Sequence, residues 1–232
     1  MEVLSGQHIM FNDYDPLPFA AAVVVSDLLG DDGTPRAAGQ NVWGHAFAGS
    51  AGNQQLLLAG FGAAQKSLAQ AAAAQRPALL YAETALSSKV NAVLAMLTAA
   101  KSAGASIDGV LLKLQCAVGG STTPQECTDA AALKATIGAF GAAGFPVWLS
   151  LDASLSASSP SLAAADGAAA ALKDVYDAVA RACVGAGAQC KALHFEGFSD
   201  AFCPDAGGSA GCMLDEKYKA KPPYLAVQAA LK

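Results

Sequence analysis

Strong charge is missing from this sequence. Asp, Glu, Lys and Arg make up 14% of the 232 residues, the net charge is −5, and no basic run occurs. These features exclude an electrostatic grip on nucleic acid or another polyanion. Low charge with 53% hydrophobic residues also excludes a disordered polyelectrolyte. Much of that fraction is alanine, and no stretch of about 20 strongly apolar residues appears, so no membrane span is expected. Neither GxGxxG nor GxxxxGK-S/T occurs, so no phosphate-cradling loop and no cofactor are expected. His8, His45 and His194 are scattered and no CxxC occurs, so no metal is expected. Residues 1–20 lack the basic start and compact apolar region of a signal peptide, so the expectation is a processed or partial chain.

What is present begins with six cysteines in three close pairs: Cys116 with Cys127, Cys183 with Cys190, and Cys203 with Cys212. Three short-loop disulfides are the expected reading, and they imply an oxidising compartment. Short continuous apolar runs mark strands at His8–Phe11, Ala22–Val25, Ala78–Ala82, Val110–Gln115, Pro146–Leu151 and Ala192–Phe195. Continuous runs suit strands buried on both faces. Helices are expected at Gln54–Gln75, Ser88–Ser102, Thr128–Ala142 with a Thr cap, Leu162–Ala182 and Pro223–Leu231. Strand and helix in alternation give parallel βαβ units and an α/β fold. This pattern alone leaves an open doubly wound sheet and an eight-stranded barrel both standing.

The tail Met213-Leu214-Asp215-Glu216-Lys217-Tyr218-Lys219-Ala220-Lys221-Pro222-Pro223-Tyr224 resembles the ending of family-10 glycoside hydrolases, the endo-xylanases. Cys183 to Cys190 is similar to that family's fungal-type disulfide hairpin, which leads into a last strand similar to Leu193–Asp200. Ala103 to Gln115, with Ile107-Asp108-Gly109 at its centre, resembles another family strand. Arg76–Tyr81, Val24–Asp27 and Ser5–Asn12 fall in the family's order. The resemblance implies a (β/α)8 TIM-barrel-like fold that starts at the family's third strand, so it is incomplete at its N-terminal end. It implies one domain over residues 1–232. A closed barrel takes about 250 residues, about 200 at the low end.

Retaining glycosidases use two carboxylates about 5–5.5 Å apart, one an acid and one a nucleophile. By the resemblance, the acid/base position falls on Asp27, with Ser26 beside it. The nucleophile position falls on Ser150, two residues before Asp152. A serine there cannot replace the carboxylate. Substrate-binding positions fall on Gln7, Asn12, Glu83 and Gln115, a family tryptophan position on Glu196, and Trp43 is an aromatic available for sugar stacking. Asp27, Asp152, Glu83 and Glu196 are the acids from which a rewired pair would be drawn. Their plainer roles are a turn cap for Asp152, a solvated loop for Glu83 and a structural ion pair for Glu196. His194 is expected to be a packed core histidine, and Trp148 to serve in stacking or in packing.

The expected function is a catalytically inactive xylanase-like domain, secreted or extracellular, that binds glycan or serves in an assembly. The alternative is an active O-glycosyl hydrolase with Asp27 as acid and Asp152 or Glu196 as second carboxylate. Expected partners are a polysaccharide or glycoprotein and other protein subunits, with no nucleic acid.

Overall fold

A computed structural model of the chain describes residues 20–37, 47, 49–69, 76–84, 87–118, 123–155, 165–197, 199–200 and 212–232. The expected strand His8–Phe11 lies outside the described residues, as do Gln7, Asn12, Trp43 and Cys203. Two compact units divide the chain: Met1–Glu83 with Ser88–Leu111, and Thr84–Ser87 with Leu112–Lys232.

In the first unit, β1 (Ala21–Ser26) pairs in parallel with β2 (Ala78–Thr84), with an irregularity between Val23 and Val25. Helix α1 (Gly49–Leu68) connects them and α2 (Val90–Ser102) follows, leading to the first residues of β3 (Gly109–Val118). Helix α1 starts five residues before the expected Gln54 and takes Gly52 into its first turn. A Cβ on Gly52 would sit 2.4 Å from the Phe47 carbonyl carbon, so only glycine allows this approach. Leu57, Phe61, Leu97 and Tyr81 are fully buried and form this unit's core. Strand β2 is buried along its length, as a continuous apolar run predicts. Asp108, of the Ile-Asp-Gly stretch, brackets β2: its carboxylate accepts from Leu79 N–H at 2.8 Å and its own N–H donates to Leu79 O.

In the second unit, the rest of β3 is followed by α3 (Ala130–Ala142), β4 (Val147–Leu155), α4 (Ala165–Gly185), β5 (Cys190–Phe195) and α5 (Pro222–Ala230). Strands follow one another in chain order, and β4 pairs in parallel with β5. The cap of α3 is Asp129 rather than Thr128: its carboxylate accepts from Ala131 and Ala132 N–H at 2.9 and 3.1 Å. Those bonds, with one from Gln125, hold its carboxyl below the usual range. Leu133, Ile137, Phe140, Val147, Leu149 and Leu151 are fully buried. Tyr176 of α4 stacks on Phe195 of β5 with centroids 5.3 Å apart. Burial, then the charges of Asp152 and Asp200, push the Tyr176 phenol up, so it stays neutral.

The expectation of strands buried on both faces fails for β3 and β5. Leu112, Leu114 and Cys116 are buried while Gln115 and Ala117 are exposed. On β5, Lys191, Ala192 and His194 are exposed, so His194 is not a core histidine. On β3 the polar Lys113 and Gln115 fall at alternate positions and take one face, whereas no residue of β5 is fully buried.

Two of the three expected disulfides are seen, Cys116–Cys127 and Cys183–Cys190. Cys212 is disulfide-bonded, and its expected partner Cys203 lies outside the described residues. The first bridge ties the end of β3 to a 3-10 turn at Gln125–Cys127. There the buried Glu126 accepts a hydrogen bond from Ser87 N–H. The tail that carries the resemblance folds around Asp215, whose carboxylate accepts from Lys217 and Lys219 N–H, while Tyr218 takes φ 59°. Lys221 donates to both carboxylate oxygens of Asp200 at 2.9 Å, fixing the tail to the end of β5. The Leu-Asp-Glu stretch therefore has a structural role.

Candidate functional site

In the first unit the polypeptide turns sharply where β1 ends. Asp27 takes φ 58°, a conformation that costs a non-glycine residue about 1–2 kcal/mol. Its backbone is fixed on both sides: Asp27 N–H donates to Ala82 O at 3.0 Å, and Arg36 Nε donates to Asp27 O at 3.1 Å. Strain of this kind persists where surrounding bonds over-determine it, and it gathers at functional positions. Ser26, the neighbouring candidate, ends β1 half-buried.

Beneath that turn lies a buried polar cluster. Tyr81 accepts from Leu28 N–H at 3.1 Å and donates to Glu83 Oε2 at 2.7 Å. Glu83 Oε2 also accepts from Leu29 N–H at 3.4 Å, and Glu83 Oε1 receives the Lys89 ammonium at 3.0 Å. Lys89 further reaches Asp31 at 3.6 Å. Glu83 and Lys89 are each 1% exposed, so this is a buried ion pair. Burial and then the Glu83 charge push the Tyr81 phenol well up, which keeps it protonated as a donor. Glu83 is therefore neither a solvated loop residue nor open to a ligand. It holds the segment that follows Asp27.

The cluster's lysine was invisible to motif reasoning, although a signal existed. Lys89 stands on the helical face of Val93, Leu97 and Ala100, all buried. A lysine in register with a buried stripe requires a buried anion partner.

In the second unit Ser150 lies on β4, 3% exposed, and its hydroxyl donates to Glu196 Oε1 at 2.8 Å. Glu196 follows β5 directly, with its N–H bonded to Leu151 O at 2.8 Å. The Ser150 proton is thus committed to a carboxylate from the next strand. Asp152 is exposed within β4, so it is a strand residue and not a turn cap. Gln115 is exposed on β3, and Trp148 is half-buried on β4. Among the described residues no group of three or more His, Cys, Asp or Glu is arranged to hold a metal ion. No helix among them is long and apolar enough to cross a membrane.

Comparison with known proteins identifies the family and the fold. The family model for Glycosyl hydrolase family 10 matches residues 24–230. Among solved structures, the chain is similar to Penicillium canescens endo-1,4-beta-xylanase XylE, at 27% identity and a TM-score of 0.71, covering 90% of this chain and 59% of that one. It is also similar to xylanase 10B from Thermotoga petrophila RKU-1 in complex with xylobiose, at 18% identity and a TM-score of 0.74, covering 99% and 64%. A third is a glycosylated endo-beta-1,4-xylanase from Gloeophyllum trabeum, at 20% identity and a TM-score of 0.74, covering 99% and 65%. No curated protein sequence matches significantly. The chain spans 59–65% of the length of these three structures. The fold class is α/β, with parallel strands in the sequential order of an incomplete (β/α)8 barrel.

Proposed function

The chain belongs to glycosyl hydrolase family 10, and from that premise we propose that it is an extracellular xylan-binding module that no longer hydrolyses its ligand. One observation carries this reading: Ser150, at the nucleophile position by resemblance, is buried and donates its hydroxyl to Glu196. A retaining glycosidase forms a glycosyl-enzyme bond through a carboxylate. Serine lacks that charge, and the 2.8 Å bond to Glu196 occupies it further. Family folds outlast their chemistry because packing and catalysis rest on different residues. The disulfides support an oxidising, secreted setting.

A second reading has one specific support. Glu196 places a carboxylate oxygen beside the side chain of residue 150, so it is the acid best placed to stand in for the missing nucleophile. One assay separates the two. Purified chain is incubated with insoluble xylan, the supernatant is assayed for remaining protein, and reducing ends are counted. The proposal expects depletion that soluble xylo-oligosaccharides reverse, with no release of reducing ends. Absence of depletion overturns the binding role. Release that disappears in Glu196→Gln establishes the second reading instead.

A further inference from the structure

Helix α2 turns Val93, Leu97 and Ala100 into the core of the first unit. Its neighbouring stripe, Ala92, Ala95, Met96 and Ala99, recurs at the spacing of one helix face and is small except for the methionine. Side chains of that size leave space beside a helix rather than fill it. The space here is a pocket of about 500 Å³, walled by this stripe, by Asn53 in the first turns of α1, and by Leu29 and Pro35 of the loop that follows Asp27. Small-molecule sites occupy about 300–1,000 Å³. The walls are fixed in advance. Leu29 and Pro35 form an antiparallel bridge, and Gly30 N–H donates to Thr34 O at 2.8 Å. Gly33 lies so close to α2 that a Cβ there would sit 3.2 Å from that of Ala92.

Asn53 supplies a second, independent feature. It is 3% exposed and lines the pocket. Its amide nitrogen donates to Leu28 O at 3.4 Å and lies 3.9 Å from the Met96 sulfur. Among the described residues nothing donates to its amide oxygen, which can accept two hydrogen bonds. No fully enclosed side-chain oxygen or nitrogen among those residues lacks a partner, so this oxygen opens on the pocket.

These features define an occupant. None of the lining residues is charged, and an ion taken out of water needs a counter-charge or several hydrogen bonds. The occupant is therefore neutral. Leu29, Pro35 and the alanines offer apolar surface, and a methionine sulfur favours the edge of an aromatic ring. The Asn53 oxygen asks for one donor. A sugar, with hydroxyls on every side, finds too few acceptors here. We infer that this pocket is a binding site for a small neutral phenol, with its ring against Met96 and the alanine stripe and its hydroxyl donating to Asn53 Oδ1. The inference is independent of glycan binding.

The test uses the full chain with isotope-labelled methionine methyl groups, followed by nuclear magnetic resonance. The chain has four methionines, and Met96→Leu assigns the Met96 signal. The probe is para-ethylphenol, beside para-ethylanisole, whose methyl ether has no donor. Expected are a saturable shift of the Met96 methyl with the phenol, none at Met213, and affinity at least about threefold weaker for the ether. Ala95 is exposed, so Ala95→Phe fills the pocket from its rim without disturbing the core, and is expected to abolish the shift. Absence of a saturable Met96 shift overturns the inference, as does equal affinity for phenol and ether or a shift that survives Ala95→Phe. A Met96 signal that moves with protein concentration alone identifies a second copy of the chain as the occupant and overturns it too.

Discussion

Removing the Lys89 ammonium is the sharpest test of what holds the strand-end turn. Lys89 and Glu83 are both 1% exposed and 3.0 Å apart. Lys89→Met keeps the stem's length and takes away the cation. Glu83 is then a buried carboxylate with hydrogen bonds from Tyr81 and the more distant Leu29 N–H. Breaking a buried pair from one side costs about 3–5 kcal/mol. Against a total stability of about 5–15 kcal/mol, that is a large share. For a chain of this size it corresponds to a fall in Tm of about 6–20 °C. The sign of the double variant is the discriminating part. Glu83→Gln on top of Lys89→Met removes the stranded charge and leaves an unsatisfied amide, which costs about 1–3 kcal/mol. The double variant is therefore more stable than Lys89→Met alone. Urea titration of the parent, both single variants and the double variant gives the four stabilities. A Lys89→Met cost under about 1 kcal/mol, the range of exposed pairs, refutes the reasoning. So does a double variant less stable than Lys89→Met.

Three further outcomes follow from particular contacts. Replacing both Cys116 and Cys127 by alanine removes a bridge whose cysteines are 11 residues apart, and is expected to cost about 2–4 kcal/mol, read as a shifted urea midpoint. Leu149→Ala, at a fully buried position of β4, is expected to cost about 2–5 kcal/mol by the same measurement. The carboxyls of Asp129 and Asp215 are held below 3.8, Asp129 chiefly by the Ala132 N–H and Asp215 chiefly by the Lys219 N–H. A depressed carboxyl contributes stability that is full above its unfolded value and lost as pH falls through the folded value. Tm is therefore expected to drop as pH falls below about 4, and to drop less steeply in Asp215→Asn. Equal pH dependence in the two proteins contradicts that assignment.

Much of the fold was legible because strand and helix differ in period. Strands β1 to β5 fall within a few residues of the apolar runs that predict them, and the Ala-rich helices lie between. The ends were less legible for local reasons. Thr128 and Asp129 are both competent caps, and only Asp129 takes the extended conformation that aims its side chain at the first turn. Strand β4 runs on to Leu155, past the expected Leu151, because Asp152 interrupts the apolar run without interrupting the backbone.

The site was legible by position and not by partnership. Asp27 directly follows β1 with its backbone fixed at φ 58° by the Ala82 carbonyl and Arg36. Ser150 and Glu196 sit 46 residues apart, and neither residue type announces the other. Tyr81 and Lys89 escaped notice because a tyrosine in a strand and a lysine entering a helix are each ordinary. Only their burial together around Glu83 makes them a unit.

Loss of chemistry is tested most directly by turnover of an aryl xylobioside, with purified chain beside Asp27→Ala and Glu196→Gln variants. The expected result is aryl release no faster from the parent than from either variant, all at the rate of buffer. Release by the parent that either substitution abolishes would contradict the proposed loss of hydrolysis and establish a working carboxylate in its place.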